Sequence, residues 1–315
     1  MSKIVQFLLA ITFLLAAPGQ ARGADWHLIR MANHENFEGL HFIDETRGFI
    51  VTNKGNILTI QESDSGWTAR SLPVHNSLEN ICFTPDGKAG FAFGSDGIIF
   101  KTEDSGRTWS SDTLRSNARL RDMAFFDPLR GVLIGEFLTR DKGTKGVTYI
   151  TADGGRNWNQ IDIEGWRFNC VDASPQGTAV IIGIRRIFVS HDYGTTWSII
   201  HLPGKTVPEA AAIRDNNGII VGKSGFLSLS DNRGASWNEK QIISWRINMS
   251  GLLMIDSLRA YAVGSTGEIL YTDDAGLNWI PEPSGTAENL NDIHMAGNRI
   301  FVCGRNGALT YTELK

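Results

Sequence analysis

Arg119, Arg167 and Arg246 stand just ahead of three similar apolar segments that begin at Leu120, Phe168 and Ile247. Aligned on those starts, the three arginines take one repeat position, and Trp166 and Trp245 directly precede two of them. A guanidinium presents a planar fork of N–H donors that grips carboxylate or phosphate in bidentate fashion, and a neighbouring indole adds an apolar anchor. Arg185, Arg186 and Arg305 join the set from turns expected on the same face, with Lys54, Arg140, Lys142, Lys145 and Lys223. The chemistry on offer is recognition of an anionic partner. Glu38, Glu79, Asp96, Asp122, Glu136 and Glu268 lie in the same parts of the pattern. A face whose charges pair among themselves is therefore the competing expectation.

Carboxylates suggest a second chemistry. Two acids about 5–9.5 Å apart across a sugar bond can hydrolyse it, and Glu79, Asp122 and Asp292 are the acids expected near a common axis. Other catalytic signatures are missing: there is no Gly-x-Ser-x-Gly elbow, no Walker loop and no His-Glu-x-x-His. The seven histidines share no repeat position, and only His34 and His41 are placed to meet. Cys82, Cys170 and Cys303 fall among apolar neighbours and read as free buried thiols at a spacing that suits no zinc site. No metal or cofactor is expected.

The elements that must position these residues come from a repeat. Thr102-Glu103-Asp104-Ser105-Gly106-Arg107-Thr108-Trp109 returns four times, with Asp153 and Trp158, Asp192 and Trp197, Asn232 and Trp237, and Asp274 and Trp279 at the same places. The tryptophans are 49, 39, 40 and 42 residues apart, and a period near 40 signals stacked or radial repeats. The Asp or Asn side chain closes a turn on nearby backbone N–H groups, Gly takes the positive-φ place, and Trp buries its ring between neighbouring sheets. Asp104, Asp153, Asp192, Asn232 and Asp274 are thus expected to form turns rather than do chemistry. Glu62-Ser63-Asp64-Ser65-Gly66-Trp67 reads as a shortened sixth copy.

Seven apolar runs, at 37–43, 78–83, 120–126, 168–173, 209–213, 247–254 and 290–295, each precede a second apolar run and a glycine turn. The turns Gly94-Ser95-Asp96-Gly97, Gly222-Lys223-Ser224-Gly225, Gly264-Ser265-Thr266-Gly267 and Gly304-Arg305-Asn306-Gly307 are hairpin signals. The fold expected is all-β: one seven-bladed propeller of four-stranded antiparallel blades over residues 24–315. The chain ends one strand short, and Trp26–Arg30 resembles a fourth strand without its turn, so it is expected to complete the last blade and close the ring. Residues 135–146 form a longer second-to-third-strand connection, of the kind that often sits on a binding face.

The repeated turn is similar to the Asp-box, or bacterial neuraminidase repeat. Blades of Gly-x-x-Gly followed by an Asp-box most resemble the photosystem II stability/assembly factor family. The resemblance implies an exported, noncatalytic seven-bladed propeller that docks a membrane complex under assembly, with an arginine patch on the channel face. A sialidase-like or other glycoside hydrolase is the alternative, and an extracellular glycan- or peptide-binding module a third reading. Sialidases carry an Arg-Ile-Pro motif, which is absent here, and use a Tyr nucleophile. Tyr149, Tyr193, Tyr261, Tyr271 and Tyr311 fit strands or Asp-boxes better than a channel mouth.

Residues 1–23 read as a signal peptide: Lys3, then an apolar run over residues 4–17, then Ala21 and Gly23 at the −3 and −1 positions of a cleavage site before Ala24. Retention as an anchor is the rival reading. Cleavage would deliver the chain to a periplasmic, lumenal or extracellular space. The formal charge of −4 becomes −6 without Lys3 and Arg22, which gives no reason to expect nucleic acid as a partner. A protein partner, peripheral association with a membrane and a monomeric state complete the expectation.

Overall fold

The computed structural model describes residues 24–31, 34–115, 117–139, 143–165, 167–202, 206–241 and 247–314. The signal-peptide reading and the positions of Trp166, Trp245 and Arg246 therefore lie outside the described residues.

The expected propeller is present: seven four-stranded sheets, each ordered consecutively from an inner strand outward, except one that takes its outer strand from the N-terminus. In that sheet His27 and Leu28 pair antiparallel with Tyr311 and Thr310, Ile29 N–H donates to Leu309 O at 2.8 Å, and the Thr310 hydroxyl donates to His27 O at 2.9 Å. The ring thus closes through non-covalent pairing of the two chain ends. Numbering blades from the sheet that begins at Phe37, this composite sheet is blade 7.

Alternation along each strand sends apolar side chains into the gaps between sheets. One such gap, between blades 1 and 2, holds Phe49, Val51, Leu78, Ile81 and Phe83, with Trp109 packed against them. Trp109 meets Phe49 and Phe83 edge-on at 6.0 and 6.1 Å. Trp158 repeats the arrangement on Phe91 and Phe125. Trp67 fills the gap at the ring closure against Phe42, Phe301 and Tyr311. Trp26 fills the gap between blades 6 and 7, edge-on to Tyr261 at 5.8 Å.

The Asp-box turns work as expected, with one addition. In blade 2, Asp104 Oδ1 accepts from Thr108 N at 2.9 Å and from the Thr102 hydroxyl at 2.7 Å, and the Thr102 oxygen accepts from Gly106 N at 2.9 Å. Asn232 makes the same amide contact with Ser236 at 2.9 Å. The residue before the repeated Gly also has positive φ, as at Ser105 (58°), Tyr193 (60°), Arg233 (60°) and Ala275 (58°). Gly106 is required sterically: a Cβ there would collide with the Phe49 ring of the preceding blade. The shortened copy near Trp67 is not a box; Ser63 pairs with Gly66 across a two-residue hairpin.

Two other expectations change. The glycine turns are short 3-10 turns whose middle residues, Asp96, Ser224, Thr266 and Asn306, have φ of 60°, 56°, 59° and 51°. The long connection of blade 3 is mostly an extended ladder, paired from Gly131–Thr151 out to Thr139–Gly143. All three cysteines are free thiols.

Candidate functional site at the channel mouth

Every inner strand carries a register shift at one repeat position, between Phe37 and Gly39, Leu78 and Asn80, Leu120 and Asp122, Phe168 and Cys170, Pro208 and Ala210, Met249 and Gly251, and Leu290 and Asp292. A bulge adds an unpaired residue and bends the strand. The bulged residues are Glu38, Glu79, Arg121, Asn169, Glu209, Ser250 and Asn291. They ring the mouth of the channel on the face where the inner strands begin.

This register places Arg119 and Arg167 at one position, each immediately before the aligned residues Leu120 and Phe168. Arg246 lies outside the described residues. In blade 6 the residue aligned with Leu120 is Met249, and Asn248 stands directly before it.

Arg119 and Arg167 belong to a chain of alternating charge. Arg119 holds Glu79 through Nε at 2.8 Å and Nη2 at 2.6 Å. Arg121 lies 3.6 Å from Glu79 and 2.6 Å from Glu136. Arg167 approaches the other oxygen of Glu136 at 3.6 Å. The acids and Arg121 are largely covered, whereas the Arg119 and Arg167 side chains remain 49% and 46% exposed. Burial, then the charge of Glu79, raises the Glu38 pKa, and Arg305 and Arg119 partly offset this. The cluster therefore spans an arc from Arg305 in blade 7 to Arg167 in blade 4.

Arg185 and Arg305 are exposed, and Arg185 adopts a φ of 60° at its turn. Among the described residues, neither makes an ion pair through its guanidinium. Arg186 donates to Glu164 O at 3.1 Å, and Lys223 pairs with Glu209 at 3.2 Å. The mouth is thus a lattice of both signs with half-exposed arginines, in which the charge pairing held open by the sequence and free guanidinium edges occur together.

Below the mouth, polar side chains stitch neighbouring inner strands together, a role that sequence reasoning missed. Asp122 accepts from Val171 N of the next blade at 2.8 Å, from Met123 N at 2.9 Å, and from Asn80 of the previous blade at 2.9 Å. Asp292 accepts from Leu40 N at 2.9 Å and Ile293 N at 2.8 Å, across the ring closure. Burial pushes these two carboxyls up to about 7 and about 6, with the donated hydrogen bonds opposing the shift. Asp122 was expected to neutralise an arginine; it instead receives backbone amides. The available signal was an acid set between apolar residues at one repeat position, as in Leu120-Arg121-Asp122-Met123 and Leu290-Asn291-Asp292-Ile293.

His41 meets His294, with ring centroids 3.9 Å apart, and not His34. Burial, and then the partner ring, lowers the His41 pKa; burial takes His294 down to about 4. The pair lines a cavity of about 580 Å³ with Asp172, Arg214 and Asp86. The cavity takes in the far ends of the inner strands, toward the Asp-box face, so it is separate from the arginine arc. Tyr149, Tyr261, Tyr271 and Tyr311 lie in strands and Tyr193 in an Asp-box turn, as expected.

The family model for photosynthesis system II assembly factor YCF48 matches residues 19–312. The photosystem II assembly lipoprotein Ycf48 of Synechococcus sp. (strain CC9902) is 23% identical, over 92% of this chain and 88% of that protein. The chloroplastic photosystem II stability/assembly factor HCF136 of Arabidopsis thaliana is also 23% identical, over 84% of this chain and 72% of its own length. A solved structure of YCF48 bound to D1 peptide superposes with a TM-score of 0.72 at 18% identity, covering 95% of this chain and all of that one. The WD40 propeller of Doa1 reaches 0.71 at 12% identity, over 93% of this chain and 98% of its own, so the structural likeness speaks for the fold. With bulged inner strands, Asp-box turns and a family match along nearly its whole length, this chain belongs to the YCF48 family of photosystem II assembly factors.

Proposed function

We propose that the protein is an exported, noncatalytic scaffold that docks a protein partner on the channel face, through the arc from Arg305 to Arg167. The observation that carries this reading is the alternating chain Arg119–Glu79–Arg121–Glu136–Arg167. Glu79 fixes one edge of the Arg119 guanidinium through two N–H groups and leaves the others toward solvent, while Glu136 draws Arg167 by charge at 3.6 Å. A fork already held in place loses less entropy when it grips a carboxylate. The D1 peptide seen with YCF48 is the first partner to try. Arg185 and Arg305 extend the same surface, and Arg246, Trp166 and Trp245 belong to its sequence-level definition.

A hydrolase reading has little support from the acids it would need. Glu79 is engaged by Arg119 and Arg121, and Asp122 by two amides and Asn80. Affinity capture from membranes should retain a partner with wild-type protein and lose it with Arg119→Ala/Arg167→Ala. Identical captured sets would refute the arginine arc. Turnover of a fluorogenic sialoside that disappears in Glu79→Gln would instead favour the hydrolase.

A further inference from the structure

Glu282 is a buried acid in an unusual place. It sits in the outer strand Ile280–Pro283 of blade 6, three residues after Trp279, and is only 7% exposed. The corresponding residues after the other box tryptophans are Asp112, Ile161, Ile200 and Lys240, none of them buried. Its two oxygens turn toward the chain's beginning. Oε2 accepts from the Trp26 indole at 2.8 Å, and Oε1 accepts from the Ala24 nitrogen at 3.1 Å. Among the described residues Glu282 takes part in no ion pair with Lys, Arg or His. Both of its hydrogen bonds thus come from N–H groups of the N-terminal segment, and a buried carboxylate is held best when a cation joins such donors.

Ala24 is also the residue that follows the small-residue cleavage signal Ala21-Arg22-Gly23. We infer that Glu282 is the seat of the mature N-terminus: removal of the leader between Gly23 and Ala24 supplies the missing cation at the atom that already faces Oε1. In that step water adds across the Gly23–Ala24 peptide bond. Gly23 leaves as a carboxylate, and Ala24 keeps an ammonium with an ordinary pKa near 8, charged at neutral pH. The ammonium then pairs with Glu282 beside Trp26, where the outer strand of blade 7 seals the ring. Processing thereby strengthens the one closure that no continuous chain holds. This inference rests on export but not on docking, so its test stands apart from any partner measurement.

The test compares protein beginning at Ala24 with protein that retains residues 19–23, each with Glu282 and with Glu282→Gln. At pH 6.5 the form beginning at Ala24 should melt roughly 2–4 °C higher than the extended form, and Glu282→Gln should abolish the difference. Raising the pH to 9.5, where the α-amine is neutral, should shrink the advantage in the same way. N-terminal sequencing of the exported protein should begin at Ala24. Equal melting of the two forms, an advantage that survives Glu282→Gln, or a mature chain that begins elsewhere would overturn the inference.

Discussion

The Asp-box turns and the channel mouth are both made of repeated positions, yet they use repetition in opposite ways. At the box turns, blades 2 to 6 do the same thing with nearly the same residues. Thr102 and Asp104, Thr151 and Asp153, Ser190 and Asp192, and Thr272 and Asp274 bond one another and the turn's own amides. At the mouth the backbone device repeats, because every inner strand bulges at one point, but the side chains there are Glu38, Glu79, Arg121, Asn169, Glu209, Ser250 and Asn291. The box turns spend their hydrogen bonds internally and present little to a partner. The mouth links charges between blades and leaves Arg119 and Arg167 half exposed. Uniform repetition goes with holding the ring together, and variation at a fixed geometry goes with a surface that distinguishes one partner from another.

If this division holds, damage to the box side should appear as lost stability and damage to the mouth as lost binding. The largest effect should follow removal of residues 24–31, which takes away Trp26 and leaves the strand Leu309–Glu313 as an open edge. A fall in melting temperature of more than about 10 °C is expected, and an unchanged value would detach the closure from the stability of the ring. Next comes Gly106→Ala, which combines a φ of 77° with a collision against the buried Phe49 ring. It should cost roughly 2–4 kcal/mol in a urea titration. Asp153→Ala removes the acceptor for the Asn157 amide and side chain and the Thr151 hydroxyl. By analogy with a lost helix cap it should cost about 1 kcal/mol without altering partner affinity.

Acidity separates the two regions with opposite signs. Hydrogen bonds from the Asn157 amide, against some burial, hold Asp153 down at about 2, and the Thr108 amide chiefly holds Asp104 low. Their stabilisation is present above the unfolded carboxyl value near 4 and fades as pH falls toward about 2. Asp122 and Asp292 are raised to about 7 and about 6 by burial, so between pH 4 and 7 the folded protein binds more protons than the unfolded chain. The buried His41 and His294, which the unfolded chain protonates near 6.5, oppose this as pH falls, so the two effects largely cancel between pH 8 and 5, and stability falls below 3. Wild type should therefore change little, whereas Asp292→Asn, which leaves the histidines less opposed, should melt about 2–4 °C lower at pH 5 than at pH 8. The same profile in wild type and Asp292→Asn would mean that Asp292 stays ionised throughout.

The sequence made the box side legible because its information is one-dimensional. Asp153, Gly155 and Trp158 act within a few residues of one another, and the blade count follows from their period. Even the ring closure was readable, since Trp26 keeps the ring in place where the turn itself is missing. The mouth was less legible because its register is decided across strands. The bulge that fixes Arg119 and Arg167 depends on which residue of the next strand each amide meets, and that cannot be seen in the run of apolar residues around Ile247. Asp122 and Asp292 were recognised as acids near the axis, but their partners Val171 and Leu40 lie 49 and 252 residues away. The Glu79 and Glu136 pairings were half visible: both acids were named as neutralisers, while the alternating order was not.

The most direct test is a fluorescence-anisotropy titration of labelled D1 peptide against wild type, Asp153→Ala and Arg119→Ala/Arg167→Ala, with melting temperatures taken on the same samples. The double variant should keep its melting temperature within about 2 °C, as exposed ion pairs contribute little. It should weaken binding at least about tenfold, in keeping with charge-assisted bonds to a bound carboxylate, while Asp153→Ala should lose stability and bind as wild type does. Undiminished affinity in a folded Arg119→Ala/Arg167→Ala protein would contradict the assignment of docking to the channel mouth.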